Sequence, residues 1–211
     1  MATNFQKVAI VFFIYITTIC STCKKRIDCS QKDFSFAATT SAYQDLDSIN
    51  INDTIWIELD HPTIFRDVQS GVYVEFSNAV NLGFGLTFDK FIGGSINNPG
   101  TTPAVSGFST ILFRGTELIS LQPDRIKSFN FLEEAGRYKF KIGVVPKTTG
   151  IFSVSVSNAA NVYRRNDGCT KAGFSITFAN TNQHLYFYEQ NRPGYTPSQY
   201  ERTHMYCFKV K

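Results

Sequence analysis

Charge is scarce in this sequence and nearly balanced. Charged residues make up 18% of the 211 residues, and the formal net charge is +4. The basic residues are scattered, and their one triplet, Lys24-Lys25-Arg26, is not interleaved with aromatic side chains. Nucleic-acid-binding proteins present a clustered, strongly basic surface. The sequence therefore predicts no nucleic-acid partner.

Residues suited to catalysis or metal binding are also few. The three histidines are His61, His184 and His204, and neither a G-x-S-x-G nor an H-E-x-x-H motif occurs. Glu201-x-x-His204 has the spacing of a di-iron ligand pair, but that site requires the motif twice on bundled helices. We predict no catalytic residue, no metal site and no cofactor. A hydrolase whose catalytic residues are scattered among loops is the alternative.

The N-terminus has the features of an export signal. Lys7 precedes residues 8–19, which form an apolar run of twelve residues without charge. As a helix this run would be about 18 Å long, well short of the ~30 Å hydrocarbon core of a bilayer. That length is typical of a signal peptide and not of a spanning helix. A buried strand is the alternative.

The first cysteines extend this interpretation. Small residues, Ser21 and Thr22, precede Cys23, whereas bulky Ile19 precedes Cys20 and makes it a poorer anchor. The segment TTICSTCKKR resembles the start of Bacteroidota lipoproteins, although Cys20 stands where the strict lipobox has leucine. The resemblance implies a signal peptide over residues 1–22, a lipid anchor at Cys23 and a tether over 23–32. A cleaved signal without lipid is the alternative.

An anchor of this kind predicts the location of the protein. We expect an outer-membrane lipoprotein of the cell envelope that is held to the membrane by its acyl chains. The body would face the periplasm or the surface. Basic residues after Cys23 favour the periplasmic side, because surface-exposed lipoproteins of this type often carry acidic residues there.

The remaining cysteines allow one disulfide. With Cys20 removed and Cys23 acylated, Cys29, Cys169 and Cys207 are left in an oxidising compartment. Three thiols can form at most one internal bridge. Cys169 follows a turn and Cys207 lies in the last predicted strand, and we predict a disulfide between Cys169 and Cys207.

The body alternates apolar and polar residues in short runs. Ile55, Ile57 and Leu59 alternate with Thr54, Trp56 and Glu58, and the same pattern fills residues 138–144 and 152–156. A period of two indicates antiparallel strands with one buried face. The turn at 147–150 joins the last two runs and predicts a hairpin in which Ser153 and Ser155 are exposed.

Turns rich in glycine, proline and asparagine separate further runs of this kind. We predict an all-β, antiparallel sandwich over residues 33–211, with a division near residue 100 as the alternative. Two segments, 47–59 (DSININDTIWIEL) and 135–156 (AGRYKFKIGVVPKTTGIFSVSV), resemble parts of uncharacterised Bacteroidota lipoproteins. The resemblance implies an immunoglobulin-like fold and no activity.

Two triplets match the Asp-Ser/Thr-aliphatic sequon that Bacteroidota use for O-glycosylation of exported proteins. They are Asp47-Ser48-Ile49 and Asp53-Thr54-Ile55. The match implies Ser48 and Thr54 as modification sites. Both triplets also suit the boundary between a turn and a strand.

Aromatic residues are concentrated near the C-terminus. The region contains Tyr186, Phe187, Tyr188, Tyr195, Tyr200, Tyr206 and Phe208. Exposed tyrosines can stack on sugar rings, but we favour the interpretation that alternate members fill the core. We predict a lipid-anchored, non-enzymatic envelope protein that binds an envelope protein or a glycan, or that serves a structural role.

Overall fold

Seventeen strands and two short helices follow the alternating runs in a computed structural model, which describes residues 30–98, 100–180 and 183–211. The strands are β1 (Lys32–Tyr43), β2 (Ser48–Ile49), β3 (Ile55–Pro62), β4 (Ile64–Arg66), β5 (Tyr73–Glu75), β6 (Ala79–Val80), β7 (Gly83–Phe91), β8 (Thr101–Pro103), β9 (Phe108–Arg114), β10 (Thr116–Leu118), β11 (Ile126–Asn130), β12 (Leu132–Glu134), β13 (Arg137–Pro146), β14 (Gly150–Val156), β15 (Ala159–Arg164), β16 (Asp167–Phe178) and β17 (Met205–Val210). The helices are α1 (Tyr186–Asn191) and α2 (Gln199–His204), and a 3-10 helix lies at Val105–Gly107.

Two large sheets pack face to face. One has the order β12-β13-β3-β1-β16-β15-β6, with β9 also paired to β13, and the other has the order β10-β11-β7-β14-β17-β2, with β8 paired to β7. A small sheet consists of β4 and β5. The predicted all-β sandwich is confirmed. Its pairing is mostly antiparallel, but β1 runs parallel to β16 and β17 runs parallel to β2.

Phenylalanine rings join the two sheets. Phe140 of β13 lies with its ring centroid 4.8 Å from that of Phe84 on β7 and 5.3 Å from that of Phe129 on β11. All three side chains are buried. Aromatic pairs of this geometry contribute about 0.5–1.5 kcal/mol beyond the burial of their area. These contacts therefore fix how one sheet lies on the other within the compact unit Gln31–Lys211.

The predicted hairpin at 138–156 is wrong in its pairing. β13 pairs with β3, β9 and β12, whereas β14 pairs with β7 and β17. Residues 147–149 therefore lead from one sheet to the other. The predicted buried residues are nevertheless buried, since both strands direct them into the same core from opposite sides: Tyr138, Phe140, Ile142, Phe152, Val154 and Val156.

Ser153 is buried, although the alternation predicts that it faces solvent. It lies opposite Cys207 of β17 in the sheet. The helical segment after β16 covers this region with a second apolar cluster that contains Phe91, Phe187, Tyr188 and Cys207. When helices cover the outer face of a sheet, residues on that face are buried even though their alternation in sequence predicts exposure to solvent.

The predicted disulfide between Cys169 and Cys207 is wrong. Cys169 is disulfide-bonded, but Cys207 is a buried free thiol. Cys169 belongs to β16 in one sheet and Cys207 to β17 in the other. Cys207 packs instead among Phe91, Phe187 and Tyr188 in an apolar cluster of the described residues that does not include Cys169.

We expect the Cys207 thiol to resist alkylation in the folded protein. Burial raises the pKa of this thiol well above its ordinary value, and the thiolate is the reactive form. Mass spectrometry after iodoacetamide treatment should find Cys207 labelled in guanidinium chloride and unlabelled in native buffer. Labelling in native buffer at the rate of a short peptide thiol would contradict the burial.

The predicted signal peptide and the predicted anchor Cys23 lie outside the described residues, as does the tether up to residue 29. Within the part of the chain that the structure describes, no helix is long and apolar enough to cross a membrane.

Asp67 holds the connection between β4 and β5 to the first strand. Its carboxylate accepts hydrogen bonds from the Ser35 N–H at 2.9 Å, the Ser70 N–H at 2.8 Å and the Ser70 hydroxyl at 2.6 Å. These hydrogen bonds, led by the one from Ser35, lower the pKa of Asp67 to about 2. The ionised form is therefore the one that stabilises the fold.

We expect Asp67→Asn to lower stability at neutral pH and to lose that effect in acid. A depressed pKa in the folded state contributes stability that is fully present above the unfolded pKa of ~3.9 and disappears as the pH falls through about 2. Urea unfolding at about pH 7, 4 and 2.5 should show the gap to wild type narrowing at the lowest pH. Asp33→Asn, which changes an exposed carboxylate on β1, is the control. A gap that stays constant down to the lowest pH would contradict this role.

Candidate functional site: an aromatic platform

Outward positions on four neighbouring strands bring aromatic side chains together on the first sheet. Trp56 of β3 lies opposite Tyr43 of β1 and opposite Gly143 of β13, and Gly143 lies opposite Ile111 of β9. The next outward positions hold Glu58 and Lys141, which are also opposite each other. We call the following set the aromatic platform: Tyr43, Trp56, Glu58, Ile111, Phe113 and Lys141.

The apolar members of the platform face solvent. Phe113 is 64% exposed, Tyr43 is 50% exposed and Ile111 is 49% exposed, while Trp56 is partly buried. Single exposed apolar side chains are ordinary on protein surfaces, but a contiguous group indicates an interaction site. The position of this group on a sheet, where the backbone is fixed by pairing, makes it a preformed surface.

Gly143 allows the tryptophan to lie across the neighbouring strand. A Cβ atom at this position would come within 2.8 Å of Thr54 Cγ2 and 3.2 Å of Trp56 Cζ3. Contacts under 3.0 Å force a shift, so any larger residue would displace these side chains. Glycine inside a strand weakens it but permits close approach. Here the approaching group is the indole of Trp56.

Charged groups lie between the rings of the platform. Lys141 Nζ is 3.0 Å from Glu58 Oε2, 5.4 Å from the centroid of the Trp56 ring and 6.0 Å from that of Phe113. A shallow cleft of about 190 Å³ continues from this point past Asp60. The platform therefore combines ring faces with adjacent hydrogen-bond donors and acceptors.

The two predicted glycosylation sites, Ser48 and Thr54, lie on different sheets or at their edges. Ser48 lies in β2 opposite Lys209, and Thr54 directly precedes β3 beside Gly143. Both side chains are partly exposed. Modification of either residue stays a prediction, and a glycan on Thr54 would lie next to Trp56.

Glu201 and His204 serve structural contacts and do not share a site. Glu201 and Ser198 form a capping box at the start of α2, and the Tyr188 and Tyr195 hydroxyls donate to the Glu201 carboxylate at 2.7 and 2.8 Å. His204 Nε2 lies 3.0 Å from Asn158 Oδ1. Among the described residues, no group of three or more His, Cys, Asp or Glu side chains is arranged to hold a metal ion.

The aromatic residues near the C-terminus belong mainly to the interior, as the favoured interpretation expects. Phe187, Tyr188, Tyr206 and Phe208 are buried, whereas Tyr200 is 53% exposed. The solvent-facing aromatic group lies instead on β1, β3 and β9. Alternation in the sequence predicts that Trp56 faces outward. That Tyr43 and Phe113 lie near it could be seen only from the order of the strands in the sheet.

No family model matches the sequence, and no curated protein matches it. Among solved structures, the chain is similar to the CupB6 tip adhesin from Pseudomonas aeruginosa at 11% identity and a TM-score of 0.20. The match covers 72% of this chain and 41% of the adhesin, so the chain spans about two fifths of that structure. A likeness at this level carries no argument about fold or function.

Proposed function

We propose that this protein is a lipid-anchored, non-enzymatic envelope protein that binds glycan chains on the aromatic platform. The observation that carries the proposal is the group of exposed rings around the Lys141–Glu58 pair. The C–H faces of sugar rings stack on aromatic side chains, and sugar hydroxyls bond to charged groups beside them. Sites that bind small molecules are mostly apolar with a few fixed polar groups, and the platform has this composition.

The chemistry of the platform favours a glycan over a protein partner. A stable protein interface buries about 800 Å² on each side, and its centre is depleted in charge. The platform consists of six side chains, and two of them, Glu58 and Lys141, form a charged pair 3.0 Å apart. Sugar hydroxyls can donate to Glu58 and accept from Lys141 without removing either group from water.

Attachment to the envelope is part of the same proposal. The apolar run at 8–19, the small residues before Cys23 and the polar segment after it support export and lipidation. The nearly balanced charge of the chain supplies little electrostatic attraction to a membrane. Acyl chains on Cys23 would provide the membrane affinity and leave the platform free for its ligand.

Affinity electrophoresis tests the binding site. Full-length protein extracted in detergent would run in gels that contain soluble polysaccharides, including those purified from bacterial envelopes. Wild type should be retarded by at least one of them, and Trp56→Ala should weaken that binding about tenfold or more, since an aromatic side chain contributes about 1.5–3 kcal/mol on burial.

Tyr73→Ala provides the matched control, because Tyr73 is 72% exposed on β5 and lies outside the platform. It should migrate as wild type does in every gel. Equal retardation of Trp56→Ala and wild type would place the binding elsewhere, and no retardation by any polysaccharide would contradict the proposal.

A further inference from the structure

A second concavity lies apart from the platform residues, where β6, the β11–β12 connection and the β12–β13 turn meet. Its volume is about 540 Å³. Concave sites for small molecules in proteins usually enclose about 300–1,000 Å³. We call this concavity the polar recess, and it is large enough for a small molecule to enter.

The segment 76–79, which contributes Asn78 and Ala79 to the wall of the polar recess, is held firmly. The Tyr138 hydroxyl donates to the Phe76 carbonyl oxygen at 2.6 Å and accepts from the Ala79 N–H at 3.1 Å. At Asn78, the backbone N–H donates to the Glu133 carboxylate at 2.7 Å, and the carbonyl oxygen accepts from the Arg165 N–H at 2.8 Å. This wall is therefore preorganised, which lowers the entropic cost of binding.

Left-handed backbone is concentrated around the polar recess. Asn78 has a φ of 57°, Asn81 of 61° and Ala135 of 50°. Alanine is strained at a positive φ, and residues with strained backbone are concentrated at binding and active sites. Asparagine tolerates this conformation better than most residues, and here it also supplies an amide to the lining.

Neutral hydrogen-bonding groups dominate the polar part of the lining. Asn78, Asn81, Asn130 and Thr116 line the recess, and their side chains carry three amides and one hydroxyl. Each amide offers two N–H donors and one carbonyl acceptor, which is the pattern that adjacent hydroxyl groups on a sugar ring require. Amides carry no charge, so they do not select for a charged ligand, and their donors and acceptors match the hydroxyl groups of a polyol.

The charged and apolar residues of the recess also suit a neutral, hydroxyl-rich ligand. One carboxylate, Glu133, and one guanidinium, Arg165, line the recess and offset each other. Phe131 and Leu132 add apolar surface for C–H groups. We infer that the polar recess binds a small, neutral, hydroxyl-rich molecule of the size of a mono- or disaccharide. This inference does not depend on the platform, because the two sites share no residue.

Saturation-transfer NMR on the full-length protein with cellobiose, lactose or N,N′-diacetylchitobiose tests the inference. At least one of these disaccharides should bind wild type at millimolar concentration. Asn81→Gly removes an amide while keeping a residue that accepts positive φ, and it should weaken binding about tenfold. Thr116→Val removes a hydroxyl at nearly constant shape and should weaken binding as well.

Asn52→Gly is the control, because Asn52 has a φ of 70° in an exposed turn outside the recess. It should bind as wild type does. Trp56→Ala should also keep disaccharide binding, so the recess and the platform can fail separately. Absence of binding by all three disaccharides would overturn the inference. So would loss of binding in Trp56→Ala alone, or a preference for glycine or gluconate over the neutral sugars.

Discussion

Phe140→Ala should lower the free energy of unfolding by about 3–5 kcal/mol, which is the range for removing a large aromatic ring from a packed core. Phe140 is 1% exposed, and its ring contacts Phe84 and Phe129 of the opposite sheet. The substitution would leave a cavity where the two sheets meet, because paired strands cannot collapse into it freely. Guanidinium denaturation at neutral pH, followed by circular dichroism, measures the loss.

Phe113→Ala provides a matched control for that experiment. Phe113 lies on β9, next to β13, but its side chain is 64% exposed. The same substitution there should change stability by less than about 0.5 kcal/mol. Equal losses for the two variants would show that Phe140 does not pack between the sheets as described.

Cys23→Ala should abolish incorporation of an alkyne palmitate into the protein. Each buried methylene contributes about 0.8 kcal/mol, and a single chain gives only marginal membrane binding, so the two or three chains of a lipoprotein would supply firm attachment. In-gel detection after metabolic labelling measures the effect directly. The label is a better readout than membrane fractionation, because an uncleaved signal peptide could itself hold the variant on the membrane.

Cys20→Ala is the control and should keep the label. Label that persists in Cys23→Ala and disappears in Cys20→Ala would move the anchor to Cys20. A wild-type protein without label would contradict lipidation and leave a secreted protein with a cleaved signal.

Local pattern in the sequence predicts which way side chains point more reliably than it predicts which strands pair. The alternation at 138–156 identified the buried residues of β13 and β14 because a period of two is a property of a single strand. It did not reveal that the strands belong to different sheets, since pairing depends on segments such as Ile55–Pro62 and Gly83–Phe91 that are distant in sequence. The short loop suited a hairpin and a sheet-to-sheet connection equally well.

The burial of residues beneath the C-terminal helices and the pairing of the cysteines could not be predicted either, because both depend on how distant segments pack together. Ser198 and Glu201 form a capping box whose spacing is visible in the sequence, and it would have predicted the start of α2. The burial of Ser153 and Cys207 followed only once the C-terminal helices were placed over the sheet. The absence of a Cys169–Cys207 disulfide followed only once Cys207 was placed as a buried free thiol in the apolar cluster with Phe187 and Tyr188.

The candidate site was partly accessible from the sequence. Alternation in β3 placed Trp56 and Glu58 on the outward face, and the structure agrees. The contributions of Phe113 and Lys141 depend on β9 and β3 flanking the same strand. A surface made from four strands cannot be assembled from sequence until their order is known.

Tryptophan fluorescence offers the most direct test of glycan binding at the platform. Trp56 is the single tryptophan of the chain, so tryptophan emission reports on the platform alone. Titration with a polysaccharide that retards the protein in gels should produce a saturable change in emission, with the same midpoint as binding measured by calorimetry. Tyr73→Ala should give the same curve. Saturable binding by calorimetry with no change in Trp56 emission would contradict the account, because the ligand would then occupy another surface.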